Sequence, residues 1–276
     1  MRVFLIGHPG SKKILKASSY LAKKYLPESF EINYLNYGNF NDSSLNGSNY
    51  IKMGNFRYKG IKSWSSSLFN ILSNLSDEYI IFSLDDYFLS KKLNLDNFNF
   101  LLETLNTNEK YISAELSISP EEKYSNQYSP RDIYVYKDTY SFTVNTQWRV
   151  WKREFLLEIF SRTTHPWSFE IEGSKFLNNS EFKSISYCSS VLDYPEISAL
   201  SKRNKNKISV LGNQDQDIKD LIDLGYLKER DLIFGQWKIG VPSYTEFKGS
   251  QYGIIDLIED EDEKKYYKLM LDKCLH

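Results

Sequence analysis

Cysteine is almost missing from this chain: only Cys188 and Cys274 occur in 276 residues, and no Cys/His spacing suited to a metal accompanies them. A reducing, cytoplasmic location is therefore the default expectation. Charge of one sign is missing too. The 35 Lys and Arg balance 36 Asp and Glu, for a formal net charge of −1. A dedicated nucleic-acid binder concentrates positive charge, so no nucleic-acid partner is expected. No segment approaches the ~20 apolar residues of a membrane span. The apolar run that starts at Val3 is too short for a signal-peptide core, and no cleavage-like site follows it. These absences lead to the expectation of a soluble protein, at most peripheral to the inner face of a membrane. Internal repeats, long low-complexity segments and an obvious interdomain linker are absent as well.

What is present suffices for a large core, at 41% hydrophobic and 26% charged residues. The length allows one α/β domain, expected over residues 1–200, with a C-terminal loop and helical extension over 201–276 packed on it. Aromatic residues reach 16%, which suits sugar-binding surfaces and equally a compositional bias shared with the many Lys, Asn and Ile.

In chain order, Val3–Ile6 reads as a buried strand and Gly7-His8-Pro9-Gly10 as the loop leaving it. Gly7-x-x-Gly10 is neither a P-loop nor a dinucleotide fingerprint. A helix follows, with Ser11 as N-cap, Leu15, Ser18, Ala22 and Tyr25 on one side, and Pro27 ending it. A second strand is expected over residues 30–37, and residues 39–55, rich in Asn, Ser and Gly, read as a surface excursion. Trp64, Leu68, Ile71, Leu72 and Leu75 fall at helical spacing, which makes Trp64 a core residue on that criterion.

The stretch YIIFSLDDYFLS, residues 79–90, is central. A short apolar run of β-branched and aromatic residues suits a strand buried on both faces. It ends in Asp85 and Asp86. Open α/β sheets bind ligands at the carboxyl ends of their strands, where a divalent metal carrying a diphosphate would justify two acids. A solvated turn capped by Asp86 is the simpler reading.

Further on, residues 95–105 are expected to be a helix, 111–114 a strand and 117–132 a long polar loop. Phe142, Val144, Thr146, Trp148 and Val150 alternate, which predicts a strand over 140–151 running into a helix at 153–160. Pro166 favours an extended, aromatic-rich loop from His165 to Gly173, which would put Glu170 and Glu172 on one side. Residues 185–192 read as a strand, Lys202–Lys207 as a basic loop, and 217–224 and 263–275 as helices.

Four pieces stand in a telling order: Trp64-Ser65-x-x-Leu68, Leu84-Asp85-Asp86-Tyr87-Phe88, Gln147-x-x-x-Trp151-Lys152-Arg153-Glu154, and His165-Pro166-Trp167-Ser168-Phe169-Glu170. Together they resemble bacterial glycosyltransferases of the GT-A type that build capsule, lipopolysaccharide and other surface glycans, over roughly residues 3–174. The resemblance implies a GT-A-like, Rossmann-like α/β fold whose mixed, mostly parallel sheet is flanked by helices. It implies a nucleotide-sugar donor, a UDP-sugar foremost, and a glycan or lipid-linked glycan acceptor. Asp85 and Asp86 take the place of the acids that hold Mn²⁺ or Mg²⁺, with Trp64 and Gln147 along the same donor site. Ser83 stands where an Asp-x-Asp motif would have its first acid, so which Asp meets metal, and whether metal is required, stay open. Glu170 matches the position of the acceptor-loop base of inverting enzymes, with Glu172 second.

The chemistry agrees with this. A departing diphosphate needs its charge neutralised, an acceptor hydroxyl needs a positioned base, and walls such as Trp151 and Trp167 suit the apolar faces of sugars. Lys202–Lys207 could close over the diphosphate as a lid, or be plain solvated surface. Two rival classes are a sugar nucleotidyltransferase, for which no Gly-rich activation loop with a following Lys is found, and a non-catalytic glycan-binding protein.

Overall fold

The computed structural model describes residues 1–7, 15–37, 45, 47–54, 63–85, 87–117, 133–138, 142–194 and 214–226. The loop after Gly7, the Ser11 cap, Asp86, most of the polar loop after Ser117, Lys202–Lys207 and the helix expected at 263–275 lie outside them.

Eight strands form one sheet: β1 (Arg2–Ile6), β2 (Glu31–Asn36), β3 (Asn49–Lys52), β4 (Tyr79–Leu84), β5 (Tyr111–Glu115), β6 (Ile133–Val135), β7 (Arg149–Lys152) and β8 (Lys183–Tyr187). Their order is β3-β2-β1-β4-β7-β5-β8-β6. β7 runs antiparallel to both β4 and β5, and β6 antiparallel to β8; the other pairings are parallel. The helices are α1 (Leu15–Tyr25), α2 (Trp64–Ser73), α3 (Leu95–Thr107), α4 (Arg153–Arg162), α5 (Pro166–Asn178) and α6 (Gln214–Asp223). This is the mixed, mostly parallel, Rossmann-like sheet flanked by helices that the sequence leads one to expect.

Strand alternation splits the core into two layers. Phe4, Ile6, Ile80, Phe82 and Trp151 face α2, α4 and α5. Val3, Leu5, Ile81, Ala114 and Val150 face α1 and α3. Within the first layer Trp64, Phe82, Phe160 and Phe169 meet mostly edge to face, with Phe160 and Phe169 stacked at 5.0 Å between ring centroids. Such aromatic pairs add stabilisation beyond the area they bury.

Three expectations are corrected. The excursion at 39–55 contains an edge strand, β3, whose four residues are half-buried or exposed and so leave little hydrophobic pattern. The strand predicted over 140–151 is confined to Arg149–Lys152. In the residues before it, side chains occupy amides that a strand would offer to a neighbour: Val144 N–H donates to Ser174 Oγ, Thr146 N–H to Glu170 and Gln147 N–H to Asn145. The loop expected at 165–173 is the start of α5. Pro166 fits the first helical position, which has no amide partner to lose. His165 is extended before it, and its Nδ1 accepts the Ser168 amide at 3.0 Å while Ser168 Oγ accepts the His165 amide.

Candidate functional site

The first four strands stand in the order β3-β2-β1-β4, so the sheet reverses direction of growth between β1 and β4. At such a reversal the loops leaving neighbouring strands part to opposite faces, opening a crevice at their carboxyl ends. Asp85 sits at that point. It directly follows β4, is 3% exposed, and its amide donates to Ile6 O at the end of β1 at 3.1 Å. Tyr34 on β2 is buried below, donating to Ser18 Oγ at 2.9 Å. Burial pushes the Tyr34 phenol well above its ordinary value, and the charge of Asp85 acts in the same direction.

The same edge receives α2 and α5 by their N-termini. α2 precedes the opposite end of β4, and α4 leaves the opposite end of the antiparallel β7, so α5 begins where α4 returns. Ser65 N–H donates to Thr164 O at 3.3 Å and its hydroxyl bonds that of Thr163, tying the two arrivals together.

From α5, Glu170 reaches the residues before β7. One carboxylate oxygen accepts both the Thr146 amide, at 3.0 Å, and the Thr146 hydroxyl, at 2.8 Å. Thr146 O in turn accepts the Leu84 amide at 3.0 Å, next to Asp85. Glu170 and Asp85 are thus linked through two intervening residues, Thr146 and Leu84, and the backbone hydrogen bond between them. Burial raises the Glu170 carboxyl above its ordinary value of 4.5, while the two Thr146 donors and the charge of Arg149 pull it back down. Gln147, half-buried on the same segment, accepts the Tyr194 hydroxyl on its side-chain oxygen at 3.0 Å. Tyr194 also bonds Ser117 and packs edge to face on Tyr87.

Asp85, Gln147 and Glu170 are therefore gathered at one edge, and half-buried Trp167 stands on the first turn of α5 against His165. The remaining candidates are placed otherwise. Trp64 and Trp151 are enclosed in the aromatic layer, at 4% and 0% exposure, and present no face to a sugar. Glu172 is exposed and pairs with Lys175 at 2.9 Å; two residues along a helix, it points away from the side that Glu170 uses.

Several supporting residues were not singled out from the sequence. Arg149 and Glu115, both 0% exposed, pair at 3.5 Å; Arg149 also donates to Thr143 O at 2.6 Å and Ser184 Oγ at 2.8 Å and lies over the Tyr136 ring. A charge inside each of two strand-like runs, SAEL and QWRVW, was the available signal, because buried charges demand partners. Glu170, Ser174 and Asn178 recur every four residues and bond Thr146, Val144 and Thr143 in turn. That stripe is invisible until the segment is read as helix.

Among the described residues no group of three or more Asp, Glu, His or Cys is placed to hold a metal ion. A Mg²⁺-type site often takes only one or two carboxylates and completes its shell with water and substrate phosphate oxygens. Asp85, an oxygen donor at the crevice, fits a site of that kind.

No protein-family model matches the chain, and no curated protein matches it. Among solved structures it is similar to S. aureus TarS 1-349 in complex with UDP-GlcNAc, at 11% identity and a TM-score of 0.43, covering 98% of this chain and 72% of that one. A cytidylyltransferase from Leptospira borgpetersenii gives 12% and 0.44, over 81% and 94% of the two chains. Apo-UDP-glucose pyrophosphorylase gives 11% and 0.44, over 71% and 92%. Similarity of this degree assigns no activity to the chain.

Proposed function

We propose that the protein is a nucleotide-sugar-dependent glycosyltransferase, moving a sugar from a nucleoside-diphosphate sugar, a UDP-sugar foremost, to a hydroxyl of a glycan or lipid-linked glycan. The observation that carries this reading is the juxtaposition at the β1/β4 reversal. Asp85 stands at the end of the central strand, and Glu170 is joined to that strand end through Thr146. The order of motifs around Asp85-Asp86 and His165–Glu170 supports the same reading.

In this reading Asp85, with Asp86, holds Mn²⁺ or Mg²⁺ on the donor diphosphate. When bound, the metal supplies positive charge to the departing phosphate oxygen. Glu170 accepts the acceptor hydroxyl's proton as that oxygen bonds the anomeric carbon and the bond to the diphosphate breaks, the inverting course. The aromatic face of Trp167 offers an apolar wall for an acceptor ring. A raised carboxyl is the better base near neutral pH, and desolvation of Glu170 acts in that direction.

The test is release of UDP from a panel of UDP-sugars with Mn²⁺, run beside formation of a nucleotide sugar from a sugar phosphate and a nucleoside triphosphate. UDP release is expected. Nucleotide-sugar synthesis alone would make the protein a nucleotidyltransferase instead. Glu170→Gln should bind UDP as the native protein does while slowing turnover by roughly 10² to 10⁴. Full turnover by that variant removes the base assignment.

A further inference from the structure

Resting on the reading of Glu170 as base, we infer that Thr146 is its positioning residue, fixing one carboxylate oxygen so that the other receives the proton. Thr146 is 3% exposed and cannot swing away. Its amide and hydroxyl converge on the same Glu170 oxygen at 3.0 and 2.8 Å, and its carbonyl is held by the Leu84 amide at 3.0 Å. The carboxylate plane is thereby set by the strand that ends at Asp85. A carboxylate oxygen with two donors is a poor proton acceptor, and both Thr146 donors fall on the one oxygen, Oε1. The anchoring is local to this end of α5, because Ser174 and Asn178 hold the rest of the helix to residues 143 and 144 independently.

The charged groups around the carboxylate are few. Arg149 of β7 faces it, itself countered by Glu115 of β5. α2 carries no charged side chain. On α4, Glu158 and Arg162 pair with each other at the surface, Arg153 donates to Asp77 O, and Glu154 is exposed. On α5 itself, Glu172 and Lys175 pair in solvent. Thr146 is thus the group whose removal changes Glu170 most selectively, since a hydrogen bond to the charged form favours that form.

The experiment compares Thr146→Val, Thr146→Ser and the native protein in two readouts: the pH profile of UDP release from a UDP-sugar that the native protein turns over, and the carboxyl titration of Glu170 by carbon NMR, assigned with Glu170→Gln. Thr146→Val keeps the amide and the shape but loses the hydroxyl. It should move the Glu170 titration and the acid limb of the rate profile to higher pH together, lowering the rate on that limb by about tenfold. Thr146→Ser should restore both. If Thr146→Val is poorly folded, Thr146→Ala against Thr146→Ser gives the same contrast. A titration that moves while the acid limb stays fixed removes Glu170 as the base; no movement of either overturns the inference while leaving Glu170 as base. Full turnover by Glu170→Gln instead strikes the underlying reading.

Discussion

Two charged residues, the buried Arg149 and the half-buried Glu170, set the local electrostatics of the site. Arg149 is wholly enclosed, and its guanidinium is shared among Glu115, Tyr136, Ser184 and the Thr143 carbonyl. Removing one member of such a pair strands the other in a medium that solvates it badly. Arg149→Ala should therefore cost about 3–5 kcal/mol of folding stability, whereas a double replacement of Arg149 and Glu115 by apolar residues of similar volume should cost less. Urea unfolding of the two variants decides it; equal costs would remove the uncompensated charge as the cause. Glu170 makes a pH prediction of opposite character. Its folded-state pKa is raised above 4.5 by burial, so folding holds its proton more tightly than the unfolded chain does. The stability it contributes is full below that ordinary value and is lost as pH rises through the folded value. Urea midpoints should fall across this window in the native protein, and Glu170→Gln should lack that component.

At the scale of elements, α5 has the most to explain, because sequence reasoning took it for a loop. A proline preceded by histidine and followed by aromatics reads as a break. The geometry uses both residues as a helix start, with Pro166 first and His165 capping Ser168. Loss of such a cap costs about 1 kcal/mol, so His165→Ala should lower stability by that amount in a denaturant titration. Gly173 marks the close approach of α5 to its neighbours: a Cβ there would lie 2.9 Å from Ile159 Cγ2 and 3.0 Å from Val144 Cγ1. Gly173→Ala should cost about 1–3 kcal/mol by overpacking, read the same way. β1 and β4 were legible as short apolar runs buried on both faces, and the helices α2 and α3 because burial writes a helical period into their residues. The segment before β7 was not. Its alternation of apolar residues suggests a strand, but its amides are satisfied by Ser174, Glu170 and Asn145, which are distant in sequence or hidden in a turn. The same blindness hid Thr146 and, by putting Glu170 and Glu172 on an extended chain, made them look equivalent.

For the molecule as a whole, the order of the strands matters more than any one contact. A sheet that grows outward from β1 on one side and β4 on the other must leave a crevice where the two part, and Asp85 falls there. That much could be read from an apolar run ending in acids; the link from Glu170 through Thr146 to the end of β4 could not. α6 closes the described chain onto α1, with Asp217, 4% exposed, bound to Lys24 at 2.6 Å and to the Tyr25 hydroxyl. Burial and Asp217 push the Tyr25 phenol up to about 12. Asp217→Ala should accordingly raise hydrogen exchange in α6 while leaving the strands protected; unchanged exchange would assign the docking to other contacts. The central claim, that the β1/β4 crevice holds a metal-bound nucleoside diphosphate, is tested most directly by calorimetric titration of UDP. The native protein and the Asp85→Ala/Asp86→Ala variant are each titrated with and without Mn²⁺. Binding that needs Mn²⁺ in the native protein and vanishes in the folded variant is the predicted result. UDP affinity unchanged in the folded variant would contradict it.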